Sequence, residues 1–206
     1  MNDLKKARRK LDKNSYCREI KKVILREYSQ EKAEEIWEYA ARELCSMHSR
    51  FSELPKQVKM HTNGIFVQAA VYFALKSADS EKAMEIVAEG ASICSKKRAG
   101  FFKTMVKLPF GRTLFLKGFA FGSKKMFGEK AGFKQNILKA DGNVFEMDIL
   151  QCPYVHYCNA LGCPELAHIF CDNDVYVYGS LNGIDFIRTQ TLGAGGEKCD
   201  FRIYKK

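Results

Sequence analysis

At Gly132 the hydrophobic rhythm of the chain changes, and that change restricts the fold to a helical part followed by a sheet. Before it, apolar side chains recur at helical spacing, as with Ile36, Ala40, Leu44 and Met47. After it, residues 133–138 and 144–150 alternate as strands do, and Asp141-Gly142-Asn143 between them is a strong hairpin signal. Two more strands are read at 184–191, entered by Asn182-Gly183, and at 199–204, entered by the flexible run Gly193-Ala194-Gly195-Gly196. The expected fold is α+β: a helical N-terminal half packed on a C-terminal antiparallel sheet of about four strands, with two short helices inserted between strands two and three. With 206 residues, 46% of them hydrophobic, the chain suits a single domain, mainly helical over 1–131 and carrying the sheet and a cysteine-rich region over 132–206.

Local signals divide the helical part. Asn14 and Ser15 offer a start for a helix through Tyr28, and Ser29 can cap a longer one that runs to about Phe51 with Trp37 in its core face. Residues 62–76 are apolar nearly all round, which reads as a buried helix, and Ser80 is read as the cap of another through about Lys97. The Gly-, Phe- and Lys-rich stretch 100–132 is read as helical around 113–119, and the residues beyond are left unassigned. Each of the two inserted helices is announced by a Cys-Pro pair, Cys152-Pro153 and Cys163-Pro164. Proline is favoured at the first helical position, so both cysteines fall at N-caps, and Gly162 stops the first helix.

Composition narrows the partners. The formal charge of +10 comes from 34 basic against 24 acidic residues, with much of the excess in Lys5, Lys6, Arg8, Arg9 and Lys10, in Lys96, Lys97 and Arg98, and at Lys205-Lys206. Those are ends and corners rather than a continuous basic face with interleaved aromatics, so no nucleic-acid partner is expected. The longest apolar run, 64–75, is too short to span a bilayer, and no membrane partner is expected. A basic start without an apolar core or cleavage site is unlike an export signal; the expectation is a cytoplasmic protein with its eight cysteines reduced, a small-molecule substrate, no cofactor, and a homo-oligomer left open. Only Cys17, Cys45 and Cys94 lie outside the 152–199 cluster, and clustered reduced thiols point to catalysis or metal binding.

A thiol at a helix start meets unpaired N–H groups and the positive end of the dipole, which favours the thiolate, although cysteine also packs at such positions without reacting. Cys171, Asp174 and Tyr178 are spaced to share one helix face, which makes either an acid-base pair with a nucleophile or, judged by Tyr178, a core face. In 199–202, alternation puts Cys199 and Phe201 on one side and Asp200 and Arg202 on the other. The glycines before them let backbone approach a ligand and offer N–H groups to developing negative charge, or else form an ordinary connection. His156, Cys158, Cys163, His168 and Cys171 are competent zinc ligands, but no C-x-x-C pair tightens them, and no metal is assigned. His48 and His61 have no partner visible in sequence.

Taken in order, Cys152-Pro153-Tyr154, Leu161-Gly162-Cys163-Pro164-Glu165-Leu166, Cys171-x-x-Asp174, Arg188-Thr189-Gln190-Thr191 and Gly195-Gly196-x-x-Cys199-Asp200-Phe201-Arg202 resemble the signature of the L-2-amino-thiazoline-4-carboxylic acid hydrolase family. Residues 1–132 fit it by pattern only. The resemblance implies a hydrolase that opens the ring of 2-amino-thiazoline-4-carboxylate, or of a related small cyclic amidine-type compound, to give an N-carbamoyl-cysteine-type product. It implies Cys199 or Cys171 as nucleophile, or a water activated by Asp174, with Asp174 in the acid-base role and Arg188 or Arg202 on the substrate carboxylate. Asp200, Thr191, Gly195, Gly196, Cys152 and Glu165 are assigned to substrate binding on the same ground. Two other classes stand beside it: a non-catalytic small-molecule sensor resembling vinyl-reductase-type ligand-binding domains, and a zinc-stabilised interaction protein.

Overall fold

The computed structural model describes residues 2–206, which fall into two compact units, one ending at Cys94 and the other spanning Ser95–Lys206. In the first unit, helices α1 (Asn2–Lys13), α2 (Ser15–Glu27), α3 (Gln30–Arg50) and α4 (Lys56–Ala78) lead into α5 (Ala83–Lys107), which continues into the second. The local signals explain the starts. Asn14 Oδ1 accepts from the backbone N–H groups of Tyr16 and Cys17 at 3.0 and 3.1 Å, and Ser29 Oγ accepts from Lys32 N at 3.2 Å, so each side chain satisfies donors that a helix start leaves orphaned. Trp37 is fully buried, with Nε1 donating to Asp12 Oδ1 at 2.9 Å, and helix α4 buries almost every apolar side chain from Ile65 to Leu75.

Two sequence readings are corrected here. Ser80 does not cap α5, which begins at Ala83; the Asp79 carboxylate holds the turn before it, accepting from Lys82 N at 3.2 Å. Nor does α5 stop near Lys97. It runs through Gly100 to Lys107, because Ala99 and Val106 are buried and their packing outweighs the roughly 1 kcal/mol that a mid-helix glycine costs.

In the second unit the rest of α5 is followed by α6 (Gly111–Met126), the hairpin β1 (Lys134–Ala140) and β2 (Val144–Gln151), α7 (Pro153–Leu161), α8 (Ala167–Tyr178), β3 (Ile184–Ile187) and β4 (Cys199–Lys205). The sheet order is β1-β2-β4-β3, antiparallel throughout, and the inserted helices lie in sequence between β2 and β3 as expected. Asp141 Oδ1 closes the hairpin by accepting from Asn143 N and Val144 N at 2.7 and 2.8 Å. Strand β3 stops at Ile187, four residues short of the expected end, because Asp200 takes the backbone N–H groups of Thr189 and Gln190 just beyond it.

Register decides the two faces of the sheet. Phe145 pairs with Ile203, Met147 with Phe201 and Ile149 with Cys199, and all six are buried in a core with Phe115, Leu116 and Phe133. The alternate pairs bring Asp148 opposite Asp200 and Glu146 opposite Arg202 on the other face. Tyr178 belongs to the core: its ring lies 5.1–6.0 Å from those of Phe102, Phe115, Phe119 and Phe186.

Candidate functional site

Strand β4 builds the site through Asp200. Its Oδ1 accepts from Thr189 N and Gln190 N, both at 2.9 Å, and its Oδ2 from Thr189 Oγ1 at 2.6 Å, pinning the chain just after Arg188. These bonds hold the Asp200 carboxyl below its ordinary range against the opposing pull of burial. Arg188 is thereby fixed, with only 6% of its side chain exposed and its guanidinium 5.6 and 5.8 Å from the ring centres of Phe201 and Phe186. Its Nη1 donates to Asp174 Oδ2 at 3.0 Å and its Nη2 to the Cys171 carbonyl at 2.9 Å, so one cation joins the end of β3 to helix α8.

Thr191 then starts a one-turn 3-10 helix, Leu192–Ala194, by accepting from Ala194 N at 3.1 Å, and Gly195 ends it at φ +80°, where a side chain would be strained. The glycine run is a capped turn, and the two amides at its start, Leu192 and Gly193, meet sulfur. Leu192 N donates to Cys199 Sγ at 3.3 Å, while the Gly193 amide and the Thr191 hydroxyl both favour the Cys171 thiolate. A Cβ on Gly193 would come within 2.9 Å of Cys171 Sγ, so only glycine lets this backbone lie against the thiol. Neither Gly193 nor the Leu192 amide is among the sequence-derived site residues. The sequence reads the glycine run as able to approach a ligand closely, but which of its glycines meets a thiol depends on where Cys171 packs.

The electrostatics separate the groups. Burial pushes the Asp174 carboxyl up to about 6, with Arg188 pulling the other way, while a third of its side chain, 33%, remains open. Burial also raises Cys171, against Thr191, Arg188 and Gly193, and raises Cys199 to about 11, against the Leu192 amide. Cys199 is buried and Cys171 half-buried. Cys152 stands at the N-cap of α7, near enough for the charges of Cys199 and Cys171 to act on it, but its thiol is pushed up to about 12. Of the two readings of this cap position, stabilised thiolate or unreactive packing, the second is favoured: the N–H groups of Val155 and Tyr154 do favour the anion, and loss of water outweighs them.

Other candidates lie apart. Arg202 donates to the Met147 and Phe201 carbonyls and, at 2.7 Å, to Asp148 Oδ1, which Lys198 also binds through Oδ2; this is the face of β4 opposite Cys199. Glu165 is half-buried in the one-turn helix Pro164–Leu166, which Cys163 precedes and α8 follows. Gly196 N donates to the Thr191 carbonyl at 2.9 Å, behind the turn. Cys158 and Cys163 are buried, and the hydrogen bond between them raises Cys158, while His156 and His168 are exposed. Among the described residues no group of three His, Cys, Asp or Glu side chains is arranged to hold a metal ion.

The arrangement therefore offers one carboxyl a third open and pushed up to about 6, a buried cation, two thiols each met by a backbone N–H, and a hydroxyl on one of them. A protein-family model described as L-2-amino-thiazoline-4-carboxylic acid hydrolase matches residues 57–203, more than two thirds of the chain and the whole of this site. No curated protein and no solved structure matches the chain.

Proposed function

The chain belongs to the L-2-amino-thiazoline-4-carboxylic acid hydrolase family, which supports a hydrolase-type function, and from that premise we propose that it opens the ring of 2-amino-thiazoline-4-carboxylate or a related small cyclic amidine-type compound. The observation that carries this reading is the meeting of Cys171, Asp174, Arg188, Thr191 and Cys199 through one ion pair and one turn.

The electrophile in such a substrate is a carbon bonded to two nitrogens and a sulfur. Cys171 is the better placed nucleophile, being less buried than Cys199 and receiving both the Thr191 hydroxyl and the Gly193 amide. Ionised Asp174 takes up the proton that the attacking thiol gives up, which supplies the basic form that burial leaves scarce at neutral pH. The new carbon–sulfur bond makes a tetrahedral centre; its ring carbon–sulfur bond breaks, and the leaving sulfur takes the proton back from Asp174. Water then attacks the isothiourea-type carbon, the Cys171 sulfur departs, and the water oxygen becomes the carbonyl of the N-carbamoyl-cysteine-type product. Arg188 balances Asp174 and offers its remaining N–H groups to the substrate carboxylate. Arg202, bound to Asp148 on the other face, is a weaker candidate for that role.

The raised thiol pKa values favour one second reading, in which Asp174 activates water for direct attack and the thiols only shape the site. Mass spectrometry of the protein incubated with 2-amino-thiazoline-4-carboxylate separates the outcomes. Ring-opened product with an adduct on Cys171 supports the covalent route. Product without an adduct under rapid quench supports water attack, and absence of product rejects this substrate.

A further inference from the structure

Residues 95–128 contain nine Lys and Arg and no Asp or Glu, whereas the basic clusters at 5–10 and 205–206 are offset by acidic residues elsewhere, so this one stretch, and not the chain ends, carries nearly all of the formal +10. The structure turns it outward. Helix α6 packs Phe115 and Leu116 into the core, while Leu114, Lys117, Gly118, Phe121, Lys124 and Lys125 recur at helical spacing on its exposed side. Exposure of the apolar members is large: Phe101 70%, Leu108 59%, Phe110 87%, Leu114 62% and Phe121 71%. Phe110 also holds φ +61°, a left-handed conformation that costs a bulky side chain energy, and it spends that cost in presenting its ring to solvent at the turn between α5 and α6.

Single exposed hydrophobes are ordinary, but five large ones in twenty-one residues flanked by Lys103, Lys107, Lys117, Lys124 and Lys125 form a patterned surface. We propose that the outer side of α5 and α6 docks on an anionic lipid bilayer surface, with Phe110, Leu114 and Phe121 entering the headgroup boundary and the lysines pairing with lipid phosphates. Charge decides the occupant. A second copy would bring the same positive surface against this one and be repelled, and a nucleic acid would neutralise the lysines but leave Leu108 and Leu114 with nothing apolar to cover them. An anionic interface satisfies both halves of the pattern. The expectation of no membrane partner came from the lack of a spanning run, and no helix among the described residues is long and apolar enough to cross a membrane; lying on a surface requires neither.

The test is co-flotation of the full chain with vesicles of phosphatidylcholine alone and of phosphatidylcholine mixed with phosphatidylglycerol. Binding is expected to the mixed vesicles, weakening with salt, and to fall by at least roughly tenfold when Lys103, Lys107 and Lys117 are changed together to Glu. Phe110→Ser combined with Phe121→Ser should lower it with the circular dichroism spectrum unchanged. Should either combined variant fail to fold, Phe110→Trp gives a second readout, a blue shift of emission on adding mixed vesicles. Equal binding to both vesicle types, indifference to the Phe substitutions, no blue shift, or RNA binding or self-association in place of vesicle binding would each overturn the proposal.

Discussion

Asp174 lies between a guanidinium that favours its charge and a protein surround that opposes it, and the surround prevails. Its folded pKa of about 6 stands above the ordinary 3.8 of an aspartate. The sign follows: Asp174 favours the folded state most at low pH, and that contribution is lost as pH rises through about 6. For catalysis the direction is opposite, because the proposed base must be ionised. Hence kcat/KM should fall on the acid side with an apparent pKa near 6. A pH profile of the wild-type protein and of Asp174→Asn checks this. The limb should be present in the first and missing from the residual activity of the second, and a limb that survives the substitution assigns it to another group.

At the level of elements, β4 owes its functional geometry to what its two faces do. Cys199 and Phe201 face the core and the guanidinium, and Asp200 faces the backbone of 189–190. Asp200→Ala removes three accepted hydrogen bonds from a buried carboxylate and is expected to cost about 2–4 kcal/mol of stability. Urea unfolding with an unchanged m value measures it, and a loss within about 0.5 kcal/mol would make Asp200 an ordinary surface residue. Periodicity made the strands and most helices legible, and side-chain caps such as Asn14 and Ser29 made their starts legible, because those signals are local. The stop of β3 at Ile187 and the passage of α5 through Gly100 were not legible. Both depend on partners distant in sequence, Asp200 for the first and core packing for the second. For the site, the sequence indicated Cys171, Asp174, Arg188, Thr191 and Cys199, which the structure brings together. It left the Cys152 thiol open between a stabilised thiolate and unreactive packing, because a cap position reveals N–H groups but not how much water is lost.

Across the whole chain, the family match runs through both compact units, yet every group assigned here to chemistry belongs to the second, drawn from α8, the exit of β3, the Leu192 turn and the start of β4. Four segments within residues 167–200 are joined by Arg188, by Asp200 and by two amides, so the site stands or falls with the fold of that unit. The most direct test compares turnover of 2-amino-thiazoline-4-carboxylate by the wild-type chain with that of Cys171→Ser, Cys199→Ser and Asp174→Asn, each shown to be folded by circular dichroism. Asp174→Asn and Cys171→Ser should each lower kcat by at least about a hundredfold, and Cys199→Ser less than either. Near-wild-type turnover in all three would contradict the assignment of this cluster as the active site.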